Sequence, residues 1–184
     1  MQKVSILIPS VSGREGKLKN CLDKILENTK YQPIEVRVML LDNKDYVYKI
    51  LSMAAKIDGL LVYLADDVEV QKDWLSIAVD NYNRAFPDGD GLLCFNDGMQ
   101  SGRIAAHGLT SGIFLRQYFH DGYKHFYVDQ EFSEKAKKLG LYIYCEESLV
   151  THVHPGAGAA TDRVYKENYK VLDQDKQLYE ERND

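Results

Sequence analysis

Three short apolar runs alternate with three amphipathic stretches over the first half of the chain, and few folds accommodate that order. The apolar runs are 3–9, 35–41 and 60–65. The amphipathic stretches, in which apolar residues recur at helical spacing, are 18–26, 46–55 and 74–82. Because strands separated by helices join through right-handed crossovers, the alternation predicts an α/β fold with a mostly parallel central sheet flanked by helices.

The second half of the chain has a less regular pattern. Short apolar runs and helical spacing predict strands at 92–95, 109–115, 142–145 and 149–153, and helices at 130–139 and from 161 to about 182. The small, polar segment 98–108 is expected to form a loop, and His107 on it is a polar site candidate for which an exposed loop position is favoured. No linker or internal repeat interrupts the 184 residues, which indicates a single domain over 1–184.

Composition and charge narrow the class of protein. Asp and Glu total 28 against 23 Lys and Arg, and the net charge of -5 argues against binding nucleic acid through broad charge attraction. Cys21, Cys94 and Cys145 lie far apart among apolar neighbours, so we expect reduced, buried thiols. The first apolar run stops at Pro9, too early for a signal peptide or a transmembrane segment, and we expect a cytoplasmic protein.

Polar residues stand directly after each of the first three predicted strands. They are Ser10 to Arg14, Asp42 with Asn43, and Asp66 with Asp67. Since ligands of open α/β sheets bind beyond the carboxyl ends of the strands, these groups are expected at one edge of the sheet. A single acid there is more often a helix cap or turn residue, but three clusters together favour a binding site. The chain has no Gly-rich phosphate loop, which argues against Rossmann dinucleotide and P-loop enzymes.

Motifs in a fixed order along the chain resemble those of glycosyltransferase family 2, whose fold is GT-A. The motifs are Ile8-Pro9-Ser10 with Arg14, Leu41-Asp42-Asn43, Tyr63 to Val70 followed by Asp73-Trp74-Leu75, Thr110 to Arg116, Tyr127 to Phe132, and Thr151 to His154. The resemblance covers nearly the whole chain up to Gly158. It implies a donor nucleotide and metal half at 1–96, an acceptor and catalytic half at 97–160, and a C-terminal helix at 161–184.

The resemblance implies an inverting, metal-dependent transfer of a sugar from a nucleotide-diphosphate donor to a hydroxyl group. The residues implied to bind the donor are Pro9, Ser10, Arg14, Asp42, Asn43 and Asp66. In the family, the residue matching Asp42 accepts a hydrogen bond from the ring N–H of uracil, which favours a UDP-sugar. The residue at Arg14 would meet the base or the phosphate.

The implied metal ligands are Asp67, which matches the last residue of the family's DxD motif, and a late histidine, His152 or His154. Because these two histidines alternate on an extended segment, only one of them is expected to face inward. Oxygen ligands suit Mg²⁺ or Mn²⁺, and a histidine shifts the preference towards Mn²⁺. Ala65 occupies the first position of the motif, a departure from the family, so either Asp66 substitutes for the missing acid or donor binding is weaker.

The implied general base is Asp129, which would take the proton of the attacking hydroxyl. The structural alternative is that Asp129 caps the helix that follows it. Glu131 is the nearest rival for the base and is otherwise assigned to acceptor binding, with Ser111 and Gly112 at the floor of the acceptor site. A glycan, a lipid-linked sugar, a protein or a hydroxylated nucleobase remain open as acceptors, and the oligomeric state is left open.

Two other functions stay open at this stage. A nucleotidyltransferase shares the α/β layout and an acidic metal site, but its Gly-rich basic loop has only a faint counterpart in Gly13 to Lys17. A non-catalytic module that binds sugar nucleotides or glycans is suggested by Ala65 in the DxD position. Turnover of a nucleotide sugar would separate an enzyme from such a module.

Overall fold

A computed structural model describes residues 2–183, which form one seven-stranded sheet flanked by helices. The strands are β1 (Val4–Ser10), β2 (Ile34–Leu40), β3 (Leu60–Tyr63), β4 (Val68–Val70), β5 (Leu92–Asn96), β6 (Gly108–Ser111) and β7 (Tyr142–His152). The helices are α1 (Glu15–Asn28), α2 (Tyr46–Ala54), α3 (Trp74–Ala85), α4 (Gly112–Tyr118), α5 (Val128–Lys138), α6 (Arg163–Asn168) and α7 (Leu172–Asn183). Short 3-10 turns occupy Pro155–Ala157 and Tyr169–Val171.

The strands lie in the order β2-β1-β3-β6-β5-β7-β4. β1 pairs in parallel with β2 and β3, and β5 pairs in parallel with β7. β6 runs antiparallel between β3 and β5, and β4 runs antiparallel to the end of β7. The expected α/β fold is therefore confirmed: β1, β2, β3, β5 and β7 run in one direction, and the sheet is mixed because β6 and β4 run in the other.

Successive side chains of β1 enter two different apolar cores, one on each face of the sheet. Ile6 and Ile8 belong to the core that contains Trp74 of α3, whereas Leu7 belongs to the core that contains Phe132 of α5. This alternation is the period of a strand, and burying one such side chain contributes roughly 1.5–3 kcal/mol. Helices cover both faces, so β1 is buried along its whole length and its carboxyl end opens at the edge of the sheet.

The strand predicted over 109–115 is wrong in its second part. β6 ends at Ser111, and α4 begins at Gly112. The hydroxyl of Ser111 accepts a hydrogen bond from the backbone N–H of Phe114 at 3.0 Å, which is an N-cap contact. The apolar residues of this short segment fit either period, so the serine cap is the signal that distinguishes the helix.

The edge of the sheet beyond β5 also differs from expectation. The strands predicted at 142–145 and 149–153 form one continuous strand, β7. β4 has only three residues, too few for the sequence pattern to predict it. The helical tail is divided into α6 and α7 by a 3-10 turn.

Helix α7 fixes the chain segment that leads into α5. Asp175, in the first turn of α7, is completely buried. Its carboxylate accepts hydrogen bonds from the backbone N–H groups of Lys124, at 3.0 Å, and of His125 and Phe126, each at 2.8 Å. Such charge-assisted bonds are stronger than bonds between neutral groups. The approach to α5 is thus held by a residue about fifty positions later in the chain.

Two expectations about the chain as a whole can be compared with the structure. All three cysteines are buried and have free thiols, as expected. Burial raises the pKa of the Cys21 thiol to about 12 and that of Cys94 to about 11, so both stay protonated and unreactive at neutral pH. Over residues 2–183, no helix is both long enough and apolar enough to span a membrane.

Candidate functional site

One pocket lies at the carboxyl ends of β1, β2 and β3, where polar clusters follow all three strands. Its volume is about 690 Å³, a size typical of small-molecule sites. Ten of the residues singled out from the sequence line it: Pro9, Ser10, Arg14, Asp42, Asn43, Asp66, Asp67, Asp129, His152 and His154. The structure therefore brings the three polar clusters together with an acid and two histidines from the second half of the chain.

Ser111 and Gly112, expected at the floor of an acceptor site, lie elsewhere. β6 is antiparallel to β3, and Ser111 pairs with Leu60 at the beginning of β3, whereas Gly108 pairs with Tyr63 at its end. The start of β6, not its end, therefore reaches the edge where the pocket opens. Ser111 caps α4 and does not line this pocket, so its role in acceptor binding stays a prediction.

Glu131, the other residue expected to bind an acceptor, also lies outside this pocket. Its carboxylate makes a two-pronged ion pair with Arg182 of α7, at 2.7 and 2.9 Å, and accepts a hydrogen bond from the Tyr123 hydroxyl at 2.5 Å. It lines a separate depression beside α4 and α7. Asp129 and Glu131 are two residues apart on a helix, so they point in different directions.

The Arg14 guanidinium joins the two acids that follow β3. One of its terminal nitrogens lies 2.9 Å from the carboxylate of Asp66 and also donates to that of Asp67. Arg14 is 6% exposed, and Asp66 and Asp67 are each 5% exposed. A further carboxylate, Asp162, lies 3.5 Å from Arg14 and 2.7 Å from Lys17. The charges of Asp66 and Asp67 are therefore partly balanced by the buried guanidinium of Arg14.

The carboxylate of Asp67 has partners on both oxygens. Oδ2 accepts from Arg14 and from the hydroxyl of Tyr165 at 2.5 Å, and Oδ1 lies 3.2 Å from Nε2 of His152. Burial raises the pKa of Asp67, but the contacts with His152, Arg14 and Tyr165 outweigh it and hold that pKa well below the usual range. Asp67 is therefore ionised across the physiological pH range.

Asp67 and His152 fit as two ligands of one divalent cation. Two neighbouring ligands of an octahedral ion with bonds of about 2.1 Å lie about 3 Å apart, and Oδ1 of Asp67 is 3.2 Å from Nε2 of His152. Across residues 2–183, no three His, Cys, Asp or Glu side chains converge as a complete ligand set. A cation here would therefore take its remaining ligands from a bound phosphate and water, as Mg²⁺ commonly does.

His154 is near this pair but is engaged differently. Its ring lies 4.9 Å from the ring of His152, and its Nδ1 accepts a hydrogen bond from the backbone N–H of Gly156 at 2.9 Å. It also meets Tyr165 edge-on, with ring centroids 4.9 Å apart. Of the two histidines considered as metal ligands, His152 is the one that contacts Asp67.

Asp129 is a half-buried acid whose pKa burial raises to about 6. It does not cap α5, because the residue before the helix is Tyr127 and Asp129 lies in the first turn. Its Oδ1 accepts a hydrogen bond from the backbone N–H of Gln130 at 2.9 Å. A carboxylate with a pKa near 6 is ionised at neutral pH yet holds a proton more strongly than an ordinary aspartate, which suits proton transfer.

The polar groups after β1 and β2 are held in place by hydrogen bonds. The Ser10 hydroxyl donates to Asp66 at 2.6 Å, and Oδ1 of Asp42 accepts from the backbone N–H of Ser12 at 2.7 Å. Burial raises the pKa of Asp66 despite the nearby Arg14. These contacts link the ends of three strands into one wall of the pocket.

Three further residues, which were not singled out from the sequence, also line the pocket: Lys49, His125 and Tyr165. His107, expected on an exposed loop, is 2% exposed and stacks edge-on against His152 with ring centroids 4.7 Å apart. Burial lowers the pKa of His107 well below its usual value and that of His125 to about 4, so both rings are neutral at pH 7. One sequence signal was available, because Lys49 interrupts the apolar face of α2 between Tyr46 and Ile50.

The fold matches solved structures of TarS from S. aureus. A structure of TarS 1–349 has a TM-score of 0.62 at 12% identity, covering 80% of this chain and 59% of that one. The same fragment in complex with UDP-GlcNAc has a TM-score of 0.55 at 13% identity, covering 80% and 57%. A further TarS structure has a TM-score of 0.59 at 12% identity, covering 83% and 37%.

Sequence comparison adds nothing to this: no protein-family model and no curated protein matches the chain. The chain spans less than two thirds of the length of each TarS chain that it matches. At such low identity the likeness concerns the arrangement of the backbone. What it establishes is that this chain has the GT-A fold seen in TarS.

Proposed function

We propose that this protein transfers a sugar from a nucleotide-diphosphate donor, with a UDP-sugar as the first choice, to an acceptor hydroxyl with inversion. The observation that carries the proposal is the meeting of Asp129 with the polar ends of three parallel strands in one pocket of a GT-A fold. The TarS structure with bound UDP-GlcNAc supports the choice of a UDP-sugar.

The proposed chemistry is a single displacement. Asp129 accepts the proton of the acceptor hydroxyl while that oxygen attacks the anomeric carbon of the donor sugar. The bond between the anomeric carbon and the diphosphate oxygen breaks, and the nucleoside diphosphate leaves with the electron pair. The raised pKa of Asp129, about 6, supports the role because the group is still ionised at pH 7.

Donor binding is assigned to the wall built from the ends of β1, β2 and β3. Asp42 and Asn43 are proposed to contact the nucleoside, with Asp66 on its ribose side. Asp67 and His152 would hold a divalent cation, Mn²⁺ or Mg²⁺, which neutralises charge on the leaving diphosphate when bound. Arg14, released from part of its pairing with these acids, is proposed to contact the diphosphate.

A panel of nucleotide sugars tests the proposal. Thermal shift in Mn²⁺ should show stabilisation by UDP and by at least one UDP-sugar, since a ligand that binds the native state raises its melting temperature. Incubation with that UDP-sugar should release UDP slowly even without an acceptor. No stabilisation and no release with any nucleoside diphosphate or its sugar would contradict the proposal.

A binding module without catalysis is the second candidate, and the pairing of Asp67 favours it. Both oxygens of that carboxylate already have protein partners, and the first position of the motif is Ala65. Such a module would be stabilised by a UDP-sugar and would release no UDP. The acceptor of an active enzyme stays open among a glycan, a lipid-linked sugar, a protein and a hydroxylated nucleobase.

A further inference from the structure

Lys49 is a buried cation that lines the pocket and has few protein partners. It lies on α2 and is 3% exposed. Its ammonium group donates one hydrogen bond, to the backbone carbonyl of Ser10, at 2.8 Å. Lys49 takes part in none of the ion pairs within 4.0 Å that the described residues form. An ammonium has three N–H donors, so two of the three have no protein acceptor.

This arrangement is costly unless a ligand completes it. Charged side chains are rarely buried without a partner, because removal from water is not offset. The carboxylates of Asp42, Asp45 and Asp66 lie beyond ion-pair distance and offset the charge only partly, and burial lowers the pKa of Lys49. The other buried cation of the pocket, Arg14, is in direct contact with carboxylates. Arg14 keeps one unpaired N–H, at Nε, but Lys49 is the buried cation of the pocket that has no carboxylate partner among the described residues.

The neighbours of Lys49 indicate which part of a ligand it meets. Ser10, whose carbonyl it contacts, also donates its hydroxyl to Asp66, and Asp42 follows the adjacent strand β2. A diphosphate placed beside Lys49 would also face these two carboxylates and be repelled by them. A neutral nucleoside avoids this conflict, because it offers a carbonyl oxygen to the ammonium and N–H or O–H groups to the carboxylates.

We infer that Lys49 binds the nucleoside part of the donor, donating a hydrogen bond to a carbonyl oxygen of a pyrimidine base. The inference rests on the proposed function, since it takes the pocket to hold a nucleotide sugar. The base of the ligand would then lie in the space between Asp42 and Asp66. Lys49 would supply an N–H hydrogen-bond donor, which the two carboxylates lack. The diphosphate then lies on the side of Arg14 and Lys17, where these two cations and the divalent cation proposed at Asp67 and His152 would offset the carboxylates.

Binding of uridine and UDP to Lys49→Met tests this assignment by calorimetry. Methionine keeps the length and apolar stem of the side chain but removes the ammonium. Both ligands should bind about 10–100-fold more weakly than to the wild type, and by the same factor, because the lost contact is to the base that they share. Lys56→Met, which changes an exposed lysine just after α2, should bind both ligands as the wild type does.

Three results would overturn the inference. One is unchanged binding of both ligands to Lys49→Met, and another is weaker binding of UDP with unchanged binding of uridine, which would move the contact to the diphosphate. The third is a wild-type protein that binds neither ligand but binds a purine nucleoside diphosphate. Binding of no nucleoside diphosphate at all would contradict the proposed function itself. If Lys49→Met does not fold, Lys49→Leu, which also has no N–H donor, serves instead, with the same 10–100-fold loss expected for both ligands.

Discussion

The two sides of the pocket are built by strands that run in different directions. On one side, β1, β2 and β3 are parallel, and the residues after each strand meet at the same edge. On the other side, β6 runs antiparallel to β3, and the residue before it, His107, reaches the pocket while Ser111 at its end does not. Strand direction thus determines which end of a motif can take part in the chemistry.

The two sides of the pocket therefore differ in how well the order of motifs along the sequence predicts where their polar residues lie. In consecutive parallel units, a polar cluster after an apolar run is sufficient to assign it to the edge. In a mixed sheet the same motif belongs to either edge until the direction of its strand is known. Residues that line the pocket and residues of the same motifs that lie outside it should therefore respond differently to substitution.

The largest effect is expected from Asp129→Asn, which keeps the shape of the side chain and removes the base. Transfer from a UDP-sugar to an acceptor should fall by about 10²–10⁴-fold, while binding of the donor changes little. The matched control is Glu131→Gln, two residues away but paired with Arg182 outside the pocket, which should keep most of the transfer rate. A rate that survives Asp129→Asn and is lost in Glu131→Gln would reverse the two assignments.

The second prediction concerns stability and pH. Burial raises the pKa of Asp129 to about 6, so the folded protein binds a proton that the unfolded chain releases near pH 4. Stability contributed by this group is therefore present below pH 4 and is lost as pH rises through 6, by up to about 3 kcal/mol. Asp129→Asn should melt at a higher temperature than the wild type at pH 7.5 and at a similar temperature at pH 4. Equal melting temperatures at pH 7.5 would contradict the raised pKa.

The third prediction tests the cation. Asp67→Ala removes a carboxylate that contacts His152, and donor binding in Mn²⁺ should weaken by at least about tenfold, the scale of disrupting a metal site. In chelator the wild type and the variant should differ less. If Mn²⁺ strengthens UDP binding equally in both proteins, Asp67 does not hold the ion.

The smallest effect is expected for Ser111, which lies at the end of the antiparallel strand β6, away from the pocket. Ser111→Ala removes the N-cap of α4 and should lower the free energy of unfolding by about 1 kcal/mol, measured by denaturant titration. Its transfer rate should equal that of the wild type when both are folded. A loss of transfer without a loss of stability would return Ser111 to the acceptor site.

Much of the first half of the molecule could be predicted from sequence because local order fixes it. The runs that became β1, β2 and β3 and the polar residues after them needed only apolar periodicity and the rule for parallel sheets. The contact between Tyr165 and Asp67 joins residues 98 positions apart, and no local pattern encodes it. Lys49 was missed, and His107 was wrongly expected to be exposed, because their burial depends on helix and strand packing that single-residue patterns do not report.

Asp175 accepts three backbone hydrogen bonds and lies in α7, which contains the last twelve residues of the described chain. Limited proteolysis that removes α7 would therefore affect the segment before α5. A protease that cuts in the 3-10 turn Tyr169–Val171 would detach α7 and leave three N–H groups before α5 without their acceptor. The ends of β1, β2 and β3 would keep their own contacts. Nicked protein would then retain affinity for the donor while losing the alignment of Asp129, so that a cut at the border of the pocket separates capture of the sugar nucleotide from its consumption.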